Sequence, residues 1–194
     1  MNGGLYMRGR ARKEDLFKIP NILCYIRILM VPFFIYLYLS DYYWQSAIVL
    51  IVASLTDVAD GYIARHFNMI TDWGKFIDPV ADKLMQFSML FVITFRRPLV
   101  LILIVEYVLK EVILLVIGLM IYHKGFNLNG ANWAGKLCTV VFDTVMFLLM
   151  FLPNIPKPTV LFLISLVSVF LIIAFCSYLT AYINLYKEQI KNKE

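Results

Sequence analysis

The chain has 194 residues, of which 61% are apolar and 16% are charged, and its formal net charge is +5. Soluble domains contain about 45–50% apolar residues, and a soluble fold of this size has too little interior for so much apolar surface. The composition therefore argues against a soluble domain and favours a protein whose surface largely faces lipid. The positive surplus is modest, and we expect no nucleic-acid partner. The three cysteines, Cys24, Cys138 and Cys176, lie far apart in apolar stretches and are predicted to be inert packing residues.

The first eighteen residues are polar and basic, and their cations are Arg8, Arg10, Arg12, Lys13 and Lys18. They lack the apolar core of a secretory signal. We expect residues 1–18 to form a short amphipathic or juxtamembrane segment on a cytoplasmic membrane face.

Apolar stretches long enough for the about 20 helical residues that cross a bilayer occupy most of the remaining chain. They cover residues 19–40, 43–66, 77–95, 98–122, 132–152 and 158–186. The predicted fold class is all-α and integral to the membrane, with six transmembrane helices. These helices would form one domain, 19–186, followed by a basic tail, 187–194.

The positive charges of the connections predict the orientation of the spans. One face would carry Arg8, Arg10, Arg12, Lys13, Lys18, Arg65, Lys75, Lys124, Lys136, Lys187, Lys191 and Lys193. The other face would carry only Arg96, Arg97 and Lys157. We therefore expect both termini on the cytoplasmic side of a bacterial-type cell membrane.

Acidic residues gather around the loop between the second and third spans. Asp57 and Asp60 are three residues apart, and Asp78 and Asp82 are four apart, so each pair lies on one face of its helix. Because the intervening loop is short, the two helices should be antiparallel neighbours and the two pairs should converge.

Ionised carboxylates near hydrocarbon need compensation, since one Asp costs about 2.5–3.5 kcal/mol at the centre of a membrane helix. Oxygen ligands favour hard cations, so Mg²⁺ or Mn²⁺ fits this group better than Zn²⁺. Two such ions could hold a diphosphate during displacement at phosphorus. The alternative is that these aspartates only cap helices and face cytoplasmic water.

The whole segment is more specific than its pairs. It reads Asp57-x-x-Asp60-Gly61-x-x-Ala64-Arg65 and, after eight residues, Gly74-x-x-x-Asp78-x-x-x-Asp82. This resembles the signature of the CDP-alcohol phosphotransferase family, with all eight positions matched. The resemblance implies a six-helix membrane fold, which agrees with the apolar stretches, and a homodimer.

The resemblance also implies roles for the matched residues. Two divalent ions would be bound by Asp57, Asp60, Asp78 and Asp82, and Asp82 would also act as the general base. The CDP group would be bound by Gly61, Ala64, Arg65 and Gly74. Without the motif, the small residues could equally ease helix packing, Arg65 could be a cytoplasmic anchor, and Gly74 could be a loop glycine.

The reaction implied is transfer of a phosphatidyl group from CDP-diacylglycerol to a polar alcohol, with release of CMP. Ile19-Pro20-Asn21-Ile22-Leu23 with Arg27, and Asp78-Pro79-x-Ala81-Asp82-Lys83-Leu84, look like phosphatidylglycerophosphate synthases and CMP-forming cardiolipin synthases. We expect glycerol 3-phosphate as the acceptor, with phosphatidylglycerol as the alternative. Candidate contacts to an acceptor phosphate are Arg27, Lys83, Lys110 and Lys136. Two departures weigh against a phosphorylated acceptor: Lys110 where these relatives have Arg, and Cys138 where they have Lys.

Two other classes of protein are compatible with parts of the pattern. A small ion carrier or channel would also place charged residues inside spans, and a membrane scaffold could carry solvated loop acids. Neither explains the glycine, alanine and arginine spacing.

Overall fold

The computed structural model describes residues 16–123, 133–152 and 154–191, and within these ranges the regular structure is entirely helical. The predicted segment 1–18 therefore lies outside the described residues except for its last three, as do Lys124 and Lys193. The helices are α1 (Ile19–Leu39), α2 (Tyr43–His66), α3 (Asp72–Thr94), α4 (Leu101–His123), α5 (Trp133–Phe151) and α6 (Lys157–Lys191), with a 3₁₀ turn at Pro98–Val100 before α4.

Membrane-spanning character follows from length and composition. Among the residues that the structure describes, four segments are long and apolar enough to cross a membrane: Ile19–Leu39, Tyr43–His66, Trp133–Phe151 and Lys157–Asn184. Helices α3 and α4 have the length of a span but carry clustered charges, Asp78, Asp82 and Lys83 in α3 and Glu106, Lys110 and Glu111 in α4. The protein is thus an all-α integral membrane protein, as predicted.

The predicted start of the third helix was wrong by about one turn. The hydropathy pattern suggested a span from residue 77, whereas α3 begins at Asp72, so Gly74 lies in its first turn rather than in a loop. Thr71 explains the early start, because its Oγ1 accepts a hydrogen bond of 2.8 Å from the Gly74 N–H, as an N-cap residue does. Helix α6 also continues beyond the expected end of its span, to Lys191.

The chain forms two compact units, one up to Ser88 and one from Met89 onward. In the first unit, α1 packs along α2. Small residues allow a close approach of membrane helices. Ala47 and Ala53 of α2 are buried, as are Phe34 and Tyr38 of α1.

In the second unit, α6 packs against both α4 and α5. Tyr107 of α4 and Phe142 of α5 are buried, and their ring centroids lie 5.7 Å apart. Large apolar side chains cover much of the surface of both units, with Leu29 71% exposed and Phe162 65% exposed. This outward apolar surface is what a lipid environment requires.

Candidate active site

The candidate site of the first unit is built around a buried cation, the guanidinium of Arg27. Arg27 lies on α1 with only 2% of its surface exposed. Its Nη1 lies 2.8 Å from Asp57 Oδ1, 3.3 Å from Asp78 Oδ1 and 2.5 Å from Asp82 Oδ1. Its Nη2 forms an ion pair with Asp60 Oδ2. One guanidinium therefore contacts all four aspartates of the motif, two from α2 and two from α3.

The four aspartates differ in their access to solvent. Asp60 is buried, with 5% of its side chain exposed, whereas Asp57, Asp78 and Asp82 are 44–46% exposed. The predicted convergence of the two pairs is thus present. We call the four residues Asp57, Asp60, Asp78 and Asp82 the carboxylate cluster. Solvent reaches the cluster at Asp57, Asp78 and Asp82 but not at Asp60.

Two sets of donor atoms in this region could hold a metal ion. Oxygens of Asp57, Asp78 and Asp82 lie within 4.8 Å of one another, and so do donor atoms of Cys24, Asp60 and Asp78. The first set consists only of carboxylate oxygens, which is the chemistry that hard divalent cations prefer. The residues present therefore fit the divalent ions that the sequence predicted.

A cavity of about 130 Å³ lies beside the carboxylate cluster. Its lining includes Cys24, Asp60, Gly61, Ala64, Gly74 and Asp78. Three of the four residues predicted to bind CDP thus share one cavity with two of the aspartates. The fourth, Arg65, folds across Gly61, since a Cβ built on Gly61 would lie 3.3 Å from Arg65 Nη2.

Two hydrogen-bonded side chains, Asn21 and Thr71, which we call the bracket, lie against Gly74. Asn21 of α1 is buried, and its Nδ2 donates to Thr71 Oγ1 at 3.1 Å, the same oxygen that accepts the Gly74 N–H. A Cβ on Gly74 would lie 2.6 Å from Asn21 Oδ1 and 2.9 Å from Thr71 Oγ1. Glycine is therefore the only residue that fits here without displacing the bracket, and this close approach explains its place in the motif.

Sequence reasoning missed three residues of this site. The sequence predicts Cys24 to be an inert packing residue, and this is wrong: its thiol donates toward Asp60 Oδ2 at 3.5 Å and Asp78 Oδ1 at 3.9 Å. Thr71 precedes Asp72 in a typical cap position and could have been recognised from that pattern. Asn21 gives no local signal of its contact, because nothing in the sequence of α1 shows that it meets Thr71, fifty residues away.

The other candidate cations are divided between the two units. Lys83 is half-buried on α3, one residue after Asp82. Lys110 and Lys136 belong to the second unit: Lys110 Nζ pairs with Glu111 Oε1 at 2.9 Å, and Lys136 is exposed near the start of α5. Glu106, four residues before Lys110, instead accepts a hydrogen bond of 2.9 Å from Ser168.

The fold is that of a helical membrane protein, and carboxylates line its candidate site. The chain belongs to the CDP-alcohol phosphatidyltransferase family, whose model matches residues 17–182. The predicted family and enzyme class are confirmed, and the carrier and scaffold alternatives do not account for this match.

Individual relatives agree with that assignment. The chain is 29% identical to the CDP-diacylglycerol–glycerol-3-phosphate 3-phosphatidyltransferase of Escherichia coli K12 over 145 residues, which is 72% of this chain and 80% of the relative. It is 36% identical to the enzyme of the same name from Bacillus subtilis over 93 residues, 40% of this chain and 48% of that relative.

A third relative is a Schizosaccharomyces pombe fusion protein of CMP-forming cardiolipin synthase and a mitochondrial hydrolase. The chain is 42% identical to it over 74 residues, which is 38% of this chain but only 12% of the fusion protein. The chain thus spans most of the E. coli relative and less than half of the other two.

Proposed function

We propose that this protein transfers the phosphatidyl group of CDP-diacylglycerol to glycerol 3-phosphate and releases CMP. The observation that carries the proposal is the carboxylate cluster at a cavity lined by Gly61, Ala64 and Gly74. The relatives named glycerol-3-phosphate 3-phosphatidyltransferases support the choice of donor and acceptor.

The reaction would be a displacement at the lipid-bearing phosphorus. The acceptor hydroxyl oxygen forms a new bond to that phosphorus, and the phosphoanhydride bond to CMP breaks. The hydroxyl proton passes to a carboxylate, and we assign this role to Asp82, which is 44% exposed and can therefore reach a bound alcohol. Asp57, Asp60 and Asp78, with Asp82, would hold two Mg²⁺ or Mn²⁺ ions. Such ions, when bound, neutralise the charge on the diphosphate and on the departing CMP.

The nucleotide end of the donor would occupy the cavity beside the cluster. Gly61, Ala64 and Gly74 leave room for it because they present little or no side chain. Arg65, whose guanidinium lies across Gly61, offers a planar fork suited to a phosphate. Among the candidate contacts to the acceptor phosphate, Arg27 is the one already at the cluster, and Lys83 is adjacent to Asp82 in the chain.

A second acceptor, phosphatidylglycerol, is favoured by one specific departure. Cys138 stands where the resemblance has a lysine, and it is buried to 4% exposure on α5, so this position supplies no cation for a phosphate. The name of the S. pombe relative includes a CMP-forming cardiolipin synthase, which supports the same acceptor. Phosphatidylglycerol carries only a monoanionic phosphodiester and needs fewer cations.

An acceptor screen with purified protein tests both assignments. CDP-diacylglycerol and Mg²⁺ or Mn²⁺ are supplied with glycerol 3-phosphate, phosphatidylglycerol, inositol phosphate, inositol or serine, and each lipid product is identified by mass. We expect phosphatidylglycerophosphate from the first acceptor, and no CMP when EDTA is present. A cardiolipin product instead would select the second acceptor. If no acceptor releases CMP with either metal, the proposed function is wrong.

We also propose that both termini and the site lie on the cytoplasmic face and that the protein is a homodimer. The charge distribution supports the orientation, and the family resemblance alone supports the dimer. A phosphatase that is active only in the periplasm should be inactive when it is fused after residue 194, because the proposed orientation keeps the C-terminus in the cytoplasm. Phosphatase activity of the fusion would reverse the orientation. The mass of the purified protein in detergent, corrected for bound detergent, distinguishes a dimer from a monomer.

A further inference from the structure

Arg27 occupies the space that a divalent cation on the carboxylate cluster would need. Its Nη1 lies 2.5–3.3 Å from oxygens of Asp57, Asp78 and Asp82. These are the same three side chains whose oxygens approach one another within 4.8 Å. A cation bound by these three side chains at typical Mg²⁺ distances of about 2.1 Å would compete with Nη1 for them.

The two cations exclude each other for electrostatic as well as steric reasons. Both are positive, and their repulsion is strong in a partly desolvated site. Arginine keeps its charge under all ordinary conditions, so it cannot yield the site by losing a proton. It can yield only by moving its guanidinium away from the three solvent-accessible aspartates.

The displaced guanidinium would still need an anion. Arg27 is 2% exposed, and a buried charge that loses its partners is strongly destabilised. Asp60, the buried aspartate, can retain its pair with Nη2 as a pivot. Nη1 would be released, and Nε has no hydrogen-bond partner among the described residues. A phosphate oxygen would accept a charge-assisted hydrogen bond from the released Nη1.

We propose that Arg27 and a divalent cation exchange on Asp57, Asp78 and Asp82, and that the displaced guanidinium then binds a phosphate of the substrates. This inference rests on the proposed function, because it takes the cation and the phosphate from that reaction. It adds a linkage: cation binding and phosphate binding strengthen each other through one side chain.

The first test measures Mn²⁺ affinity in the absence of nucleotide. Free Mn²⁺ is followed by electron paramagnetic resonance in detergent solutions of the wild type and the Arg27→Gln protein. In the wild type, Mn²⁺ can bind only the fraction of molecules in which Arg27 has left the three aspartates, and its apparent affinity is reduced by that fraction. We therefore expect Arg27→Gln to bind Mn²⁺ about tenfold more tightly or better. An affinity equal to or weaker than that of the wild type overturns the exchange.

A matched control removes an arginine of the second unit. Arg97 donates to the backbone carbonyls of Leu149 and Leu152 at 3.2 Å. Arg97→Gln removes the same charge and should leave Mn²⁺ affinity unchanged. If Arg97→Gln tightens Mn²⁺ as much as Arg27→Gln does, the effect is one of overall charge and the exchange is refuted.

Folding of the Arg27 variant is followed separately by thermal unfolding. Without Arg27 the carboxylates repel one another, so Arg27→Gln should lose more stability in EDTA than Arg97→Gln and regain more with Mn²⁺. If Arg27→Gln does not fold even with Mn²⁺, Arg27→Lys replaces it. A single ammonium cannot contact four carboxylates at once, so Mn²⁺ should again bind more tightly, and unchanged affinity again overturns the proposal.

The second test measures the linkage with labelled CDP as the probe. Saturating Mn²⁺ should increase CDP affinity in the wild type by a factor several times larger than in Arg27→Gln, because only the wild type gains a released guanidinium. Equal factors would show that Arg27 does not couple the two ligands. CMP release by the wild type with Mg²⁺ is measured in parallel. If it occurs while the Mn²⁺ and CDP results fail, the exchange is wrong but the proposed function stands. If the wild type releases no CMP, the function itself is wrong.

Discussion

The two units of this protein each contain a group of charged side chains inside a helical membrane segment, but the groups differ in construction. In the first unit, one arginine of α1 meets four aspartates of α2 and α3 at sequence separations of 30–55 residues. In the second unit, the charges of Glu106, Lys110 and Glu111 lie along α4 itself, and the ion pair of Lys110 and Glu111 joins adjacent residues.

Charge balance separates the functions of these groups. The carboxylate cluster with Arg27 retains three negative charges in excess when its aspartates are ionised, and solvent reaches three of the four. The α4 group has only one carboxylate more than it has cations, and Glu106 Oε1 accepts a hydrogen bond from Ser168. Only the first group therefore requires further cations, and among the described residues the sets of three metal-capable side chains occur only there.

The largest expected effect comes from Asp82. Asp82→Asn keeps the shape of the side chain but removes both the proton acceptor and a metal ligand, so we expect CMP release to fall about 10³-fold. Asp72→Asn is the matched control, since Asp72 pairs with Lys75 at the exposed start of α3 and should leave the rate within about twofold of the wild type, as surface changes usually do. Near-normal CMP release by Asp82→Asn would refute its role as the base.

The next effect concerns the wall of the cavity. Gly74→Ala would push against Asn21 and Thr71, so we expect a loss of about 1–3 kcal/mol in stability, as for other overpacked sites. The KM for CDP-diacylglycerol should also rise. In Gly61→Ala the new methyl group meets only the Arg65 side chain, so stability should change less. Thermal unfolding in detergent and donor titrations measure both. Equal stability losses would show that the bracket on Gly74 is not rigid.

Gly135, a glycine of the second unit, offers a comparison with Gly74 of the first unit. A Cβ on Gly135 of α5 would overlap the Tyr178 hydroxyl and lie 2.8 Å from its ring carbons, so Gly135→Ala should also cost about 1–3 kcal/mol. The nearest atoms to this Cβ belong to Tyr178 and not to the carboxylate cluster, so we expect Mn²⁺ affinity to remain that of the wild type. A large change in Mn²⁺ affinity without a change in stability would contradict this expectation.

The smallest effect is expected on α4. If Lys110 contacts the acceptor phosphate, Lys110→Gln should raise the KM for glycerol 3-phosphate several-fold, about the loss of one charge-assisted hydrogen bond. Glu106→Gln, which preserves an acceptor for Ser168, is the control and should leave that KM within about twofold, since it deletes no contact. An unchanged KM in Lys110→Gln would leave Lys110 as only the partner of Glu111.

Much of the fold was readable from local patterns. Long apolar stretches predicted the helices because a span must satisfy its own backbone groups within the bilayer. The boundary of α3 was misplaced because charged residues of its first turns lower the local hydropathy, while the Thr71 cap extends the helix through them. Spacing alone also leaves the partner of Lys110 open, since it permits Glu106 as a partner whereas the side chain pairs with Glu111.

The sequence by itself determined which carboxylates share a face, because separations of three and four residues have one outcome on a helix, and it determined the family through the motif from Asp57 to Asp82. Only the tertiary structure decided that Arg27 stands at the centre of those carboxylates, that Cys24 touches them, and that Asn21 braces Gly74. These contacts join α1 to residues 30–55 positions away. Such pairings depend on how α1 packs against the other helices, and no periodicity within α1 encodes that choice.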